Sequence, residues 1–163
     1  MNKKIYIKIS IMLVFVLCVC AGCSTRRGGK YTIEELDNLA EIKIYSTENN
    51  ELIKTISDEE QLYQFNQRSF FDDSDIMERQ SELEKELEGA TEQYYLISYK
   101  YPVARFGKKD LEENITITLY DTNIIKLTAA GESIKAFYIP EEFLTFYYEI
   151  SEEDMNFYRS LVE

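Results

Sequence analysis

The side chains able to carry out chemistry are a short set. The chain of 163 residues has no histidine and three cysteines, Cys18, Cys20 and Cys23. All three fall at the end of the first apolar stretch, so no thiol remains beyond residue 23. Serine–histidine triads, cysteine–histidine nucleophiles and the usual zinc sites therefore lack their parts. No disulfide framework is available either. Arg27-Gly28-Gly29-Lys30 lacks the preceding strand and the spacing of a phosphate loop. Carboxylates remain, in the pairs Glu112-Glu113, Glu141-Glu142 and Glu152-Glu153. Such pairs serve as acid and base in glycoside hydrolysis, but adjacent acids at helix starts are ordinarily solvated caps. Asp72-Asp73-Ser74-Asp75 has the look of a cation site. Counted from Asp73, a calcium loop gains Asp75 at the third position and Glu84 at the twelfth. It loses its fifth ligand to Met77 and its glycine to Glu78. The segment reads as a capping turn, with no metal, no cofactor and no catalytic residue assigned.

The cysteine with a defined context is Cys23. Lys3, Lys4 and Lys8 precede an apolar run from Ile9 to Cys20 that only Ser10 interrupts, and Ala21-Gly22 leads into Cys23. This is the cationic, apolar, small-residue order of a secretory signal, too short for a comfortable membrane span. The sequence Val19-Cys20-Ala21-Gly22-Cys23 resembles the lipobox of bacterial lipoproteins, with Cys20 where that family usually carries leucine. The resemblance implies cleavage after Gly22, a diacylglyceryl group on the Cys23 sulfur, and a lipid-anchored chain on the extracytoplasmic face of the cell membrane. Residues 1–22 are then the signal peptide and residues 23–30 the lipidated cysteine and a flexible tether, in which Arg26, Arg27 and Lys30 can meet anionic headgroups.

Residues 31–163 suit one domain. Three lysines and no acid leave with residues 1–22, so 15 cations face 30 acids, a formal charge of −15. That surface repels nucleic acid and favours a cationic partner or simple solubility. Glu41–Tyr45 and Leu52–Ile56 around Thr47-Glu48-Asn49-Asn50 predict a hairpin. Ser57 with Glu60 three residues later predicts a capping box opening a helix that ends near Phe71, with Leu62 and Phe65 buried. A second, mostly charged helix is expected over Ile76–Glu88, stopped by Gly89 and facing solvent. From Tyr94 the period becomes two, with Tyr95, Ile97, Tyr99 and Tyr101 on one face, and Tyr120 and Tyr138 elsewhere; that face is expected to be core and, if exposed instead, a binding surface for peptide or glycan. Ile115–Tyr120, Ile124–Ala129 and Ser133–Ile139 predict a three-stranded meander. Pro140-Glu141-Glu142 then suits a helix start with Phe143, Phe146 and Tyr147 against the sheet. Ser151 caps a last helix with Met155, Tyr158, Leu161 and Val162 inward. The fold class is α+β, an antiparallel sheet of hairpin plus meander with helices on one face.

The lipobox, the segment from Ile42 to Phe65 and the segment from Ile117 to Phe143 resemble the small uncharacterised lipoproteins of low-GC Gram-positive bacteria. That resemblance implies an address and an α+β domain, and it transfers no catalytic residue. The expected function is a non-enzymatic binding or interaction domain at the cell surface, its partner a protein, peptide or glycan. The alternatives are a carboxylate-only hydrolase of the cell envelope and an inhibitor or immunity-type protein against a cationic partner.

Overall fold

The computed structural model describes residues 29–68, 76–102, 110–130 and 140–163, without the side chains of 76, 77, 141 and 142. The elements are β1 (Leu39–Ser46), β2 (Leu52–Ile56), α1 (Glu59–Asn66), α2 (Ile76–Glu86), β3 (Glu92–Lys100), β4 (Glu112–Tyr120), β5 (Ile124–Ala129), a 3₁₀ turn (Glu141–Leu144), β6 (Thr145–Glu149) and α3 (Glu152–Val162). Six antiparallel strands form one sheet in the order β2-β1-β3-β4-β5-β6. The fold class is α+β, as the alternating patterns imply.

One face of the sheet is apolar because the register aligns the inward residues of neighbouring strands. Ile56, Ile42, Ser98, Ile115 and Ala129 form one row, and Ile44, Leu96, Ile117, Leu127 and Phe146 another. Helices α1 and α3 cover this face with Leu62, Phe65, Met155, Tyr158 and Leu161. Ser98 is the polar exception, fully buried beside the extra residue Asn114 of a bulge in β4. Its hydroxyl accepts from Ile115 N–H and donates to Ile115 C=O, so the irregular ladder leaves neither group bare.

The caps show which local signals prevailed. Ser151 opens α3 as expected, its hydroxyl accepting from Asp154 N–H. At α1 the cap is Asp58, not Ser57: Asp58 has extended backbone and its carboxylate accepts from Gln61 N–H at 3.1 Å. Glu60 is thereby released from back-bonding to a cap. Helix α1 also stops at Asn66, well before Phe71. Arg68 closes it, with Nη1 donating to the Gln64 carbonyl and Nε to Asp154 of α3, and with the guanidinium over the Phe157 ring. Ser69 to Asp75, the acidic turn included, lie outside the described residues.

The segment after Pro140 departs most from expectation. A single 3₁₀ turn replaces the predicted helix, and Thr145–Glu149 becomes the edge strand β6. Phe143, expected on the sheet, is 67% exposed. Phe146 and Tyr147 are neighbours on a helix face but point to opposite sides of a strand. The run Thr-Phe-Tyr-Tyr suits a strand, and β5 offers an edge of unpaired backbone groups that such a strand satisfies. The predicted third meander strand, Ser133–Ile139, lies outside the described residues, and β6 takes the place beside β5.

Helix α2 is not a solvent-facing excursion. Gln80 accepts from Tyr147 N–H at 2.8 Å and donates to Tyr147 C=O at 2.9 Å, so one side-chain amide replaces a neighbouring strand at the β6 edge. Leu83 is 1% exposed, Arg79 pairs with Glu149, and Glu84 accepts from the Tyr147 hydroxyl. Gly89, at φ +94°, ends the turn after the helix. At the other edge, β2 carries an extra residue, Ile53, and a lysine, Lys54, both devices that discourage further strand pairing.

A candidate binding face and the segment that leads to it

The face turned away from the core carries the tyrosines. Leu96 and Ser98 point inward at 0% exposure, so Tyr95, Ile97 and Tyr99 point the other way and are half-buried. The expectation that this tyrosine face is core is therefore corrected. Pairing of Leu96 with Ile44 and Ile117 decides the matter, because a period-two strand must put its alternate residues on the opposite side. Tyr45 joins the face from β1, its ring stacked on Tyr95 at 5.0 Å, and the Tyr95 hydroxyl donates to Asn50. Lys43 lies over the Tyr99 ring at 4.6 Å and pairs with Glu41 at 3.0 Å. Thr116, Thr118, Lys126, Thr128 and Tyr147 continue the face across β4 to β6. Thr118 is buried among them at 6% exposure, and Thr128 shares a hydrogen bond with Thr145.

Tyr101 and Tyr120 have other roles. Tyr101 follows β3, donates its N–H to Asn38 C=O and lines a cavity. Tyr120 donates to Glu92, which Lys126 also reaches at 3.2 Å. Burial, with the Glu92 charge added, pushes the Tyr120 hydroxyl far above its ordinary value. Burial works against a charged Glu92, yet the Tyr120 and Lys126 hydrogen bonds hold its carboxyl below the usual range. Tyr138 and Cys23 lie outside the described residues. Of the acidic pairs, Glu112-Glu113 opens β4 and Glu152-Glu153 lies exposed in the first turn of α3. They belong to separate elements. Among the described residues no group of three or more His, Cys, Asp or Glu side chains is placed to hold a metal.

Gly29 and Lys30, the last two residues of the expected tether and the only ones of it among the described residues, are held against the domain. Lys30 is bound: its N–H donates to Glu59 at 2.7 Å and its ammonium pairs with Glu60. Glu60 also accepts from the Tyr31 hydroxyl at 2.8 Å, and the Tyr31 ring stacks on Tyr63 at 4.1 Å. The hydrogen bonds from Lys30, Tyr31 and Gln64 hold the Glu60 carboxyl down at about 2. Glu59 lies so close to Gly29 that a Cβ there would meet its carboxylate. Thr32 and Glu35 then bond reciprocally, a T-x-x-E capping signal legible in the sequence. Between this segment and the sheet lies a cavity of about 70 Å³, lined by Tyr31, Leu36, Leu39, Glu59, Leu62 and Tyr101 among others. It is far smaller than the ~300–1,000 Å³ of a typical small-molecule site.

Comparison of the chain with known protein families, with characterised proteins and with solved structures found no match.

Proposed function

We propose that this chain is a lipoprotein held by Cys23 on the extracytoplasmic face of a cell membrane, and that its domain is a non-enzymatic binding module. The observation that carries the address is the run from Lys3 through the apolar stretch to Ala21-Gly22-Cys23. The binding role is supported by the half-exposed face bearing Lys43, Tyr45, Tyr95 and Tyr99, where the Tyr45 and Tyr95 rings are stacked and Lys43 lies over Tyr99. Rigid tyrosines supply contact area at low entropic cost, as recognition surfaces require. The partner is a protein, peptide or glycan on the outer side of the membrane. The excess of acids favours a cationic one.

Two measurements test the reading. Cys23→Ala is expected to abolish incorporation of a labelled fatty acid and to release the chain from the membrane fraction or leave it uncleaved. Labelling equal to the parent chain overturns the anchor. On intact cells, a photo-crosslinker replacing Tyr95 is expected to capture a partner, whereas one replacing exposed Glu153 on the helical side is not. The reverse pattern overturns the face.

A further inference from the structure

The proposed lipid anchor and the bound segment Gly29–Tyr31 together carry a second consequence, which rests on the reading above. Lys30 and Tyr31 are fastened to Glu59 and Glu60 at the start of α1 by the hydrogen bonds, the ion pair and the ring stack described. The chain therefore leaves the domain at a fixed point. That point lies at one end of the sheet, where β2 finishes at Ile56, β1 begins at Leu39 and β3 finishes at Lys100. Gly29 follows Cys23 by six residue steps, which span at most about 21 Å even when fully extended. The hairpin turn Thr47–Asn50 lies at the other end of β1, about 23 Å further along the strand.

We infer that the bilayer is the partner of the α1 end of the domain, and that the β1–β2 hairpin end points outward. The leash, and not charge, sets this placement: at the α1 end Glu60 is paired with Lys30 and Asp37 with Lys100, but Glu34, Glu35 and Asp58 are exposed there, as Glu48 and Glu51 are on the hairpin. The tyrosine face then stands along the membrane normal, reachable from the side, with the hairpin tip outermost.

The full chain offers a clean test, since it has no cysteine after Cys23, and the lipid occupies that thiol. Glu34→Cys, exposed at the α1 end, and Asn49→Cys, exposed at the hairpin tip, are each labelled with a maleimide fluorophore. The lipidated proteins are then placed in vesicles containing a nitroxide-headgroup lipid. Strong quenching is expected from residue 34, with loss of quenching at residue 49. Inserting ten Gly/Ser residues between Arg27 and Gly28 is expected to remove the difference. Equal quenching at both positions in the parent chain, or stronger quenching at 49, overturns the orientation and leaves the anchor standing. A chain that fails to sediment with the vesicles overturns both.

Discussion

Glu60 is an acid whose chemistry is altered by its environment. Its carboxyl is held at about 2 by Lys30, Tyr31 and Gln64, against about 4.3 in an unfolded chain. A carboxyl depressed on folding contributes stability that is present above the unfolded value and is lost as pH falls through the folded one. The thermal midpoint of the parent chain should therefore exceed that of Glu60→Gln at pH 6, with the gap closing between about pH 4 and about pH 2. The group is exposed and screened, so the gap at pH 6 is small. A gap that persists unchanged at pH 2 would place the effect elsewhere. The neighbouring cap gives a sharper contrast. Asp58→Ala removes the acceptor of Gln61 N–H and should cost about 1 kcal/mol, while Ser57→Ala should cost almost nothing. Equal losses in chemical denaturation would return the cap to Ser57.

The same contrast between exposure and role appears in the elements. Strand β4 is the centre of the packed face: Ile117 is 0% exposed and lies between Leu96 and Leu127. Ile117→Ala should cost about 2–5 kcal/mol, comparable with a domain's margin. Thr116→Ala, on the tyrosine face, should cost far less, and the order of the two melts checks the facing. Helix α2 exposes most of its charged surface, yet it closes the β6 edge through Gln80. Gln80→Leu keeps the volume but leaves Tyr147 N–H and C=O without that partner, a loss of about 1–3 kcal/mol. Amide exchange at Tyr147 should rise, and with the edge exposed the variant should self-associate at high concentration. Unchanged exchange at Tyr147 would mean that the edge is protected by something other than Gln80.

At the scale of the whole molecule, charge has the largest reach. The chain beyond residue 22 carries an excess of 15 acids, and the ion pairs among the described residues are all at the surface, the most enclosed having side chains 31% and 23% exposed. Surface pairs contribute little and lose that little in salt, whereas net self-repulsion is relieved by it. The melting temperature of the soluble domain should therefore rise, not fall, between low and physiological ionic strength. A fall would show that the ion pairs outweigh the repulsion.

Local sequence determined the features that depend on near neighbours. The hairpin β1–β2, the strands β4 and β5 with their turn at Asp121–Asn123, the Ser151 cap and the Gly89 stop all follow from residues within a few positions of each other. The address proposed for Cys23 is of the same kind, a short contiguous pattern read without a fold. Tertiary structure decided everything that needed a distant partner. Thr145–Glu149 satisfies both helical and strand periodicities in part, and only the free edge of β5 makes it a strand. Tyr95 and Tyr99 became a surface because Leu96 found Ile44 and Ile117 first. Lys30 left the tether because Glu59 and Glu60, some thirty residues away, came to rest beside it. Period and spacing state which side chains share a side, but the burial of that side is settled by which apolar row meets the helices, a free energy that belongs to the assembled sheet and to no segment of it.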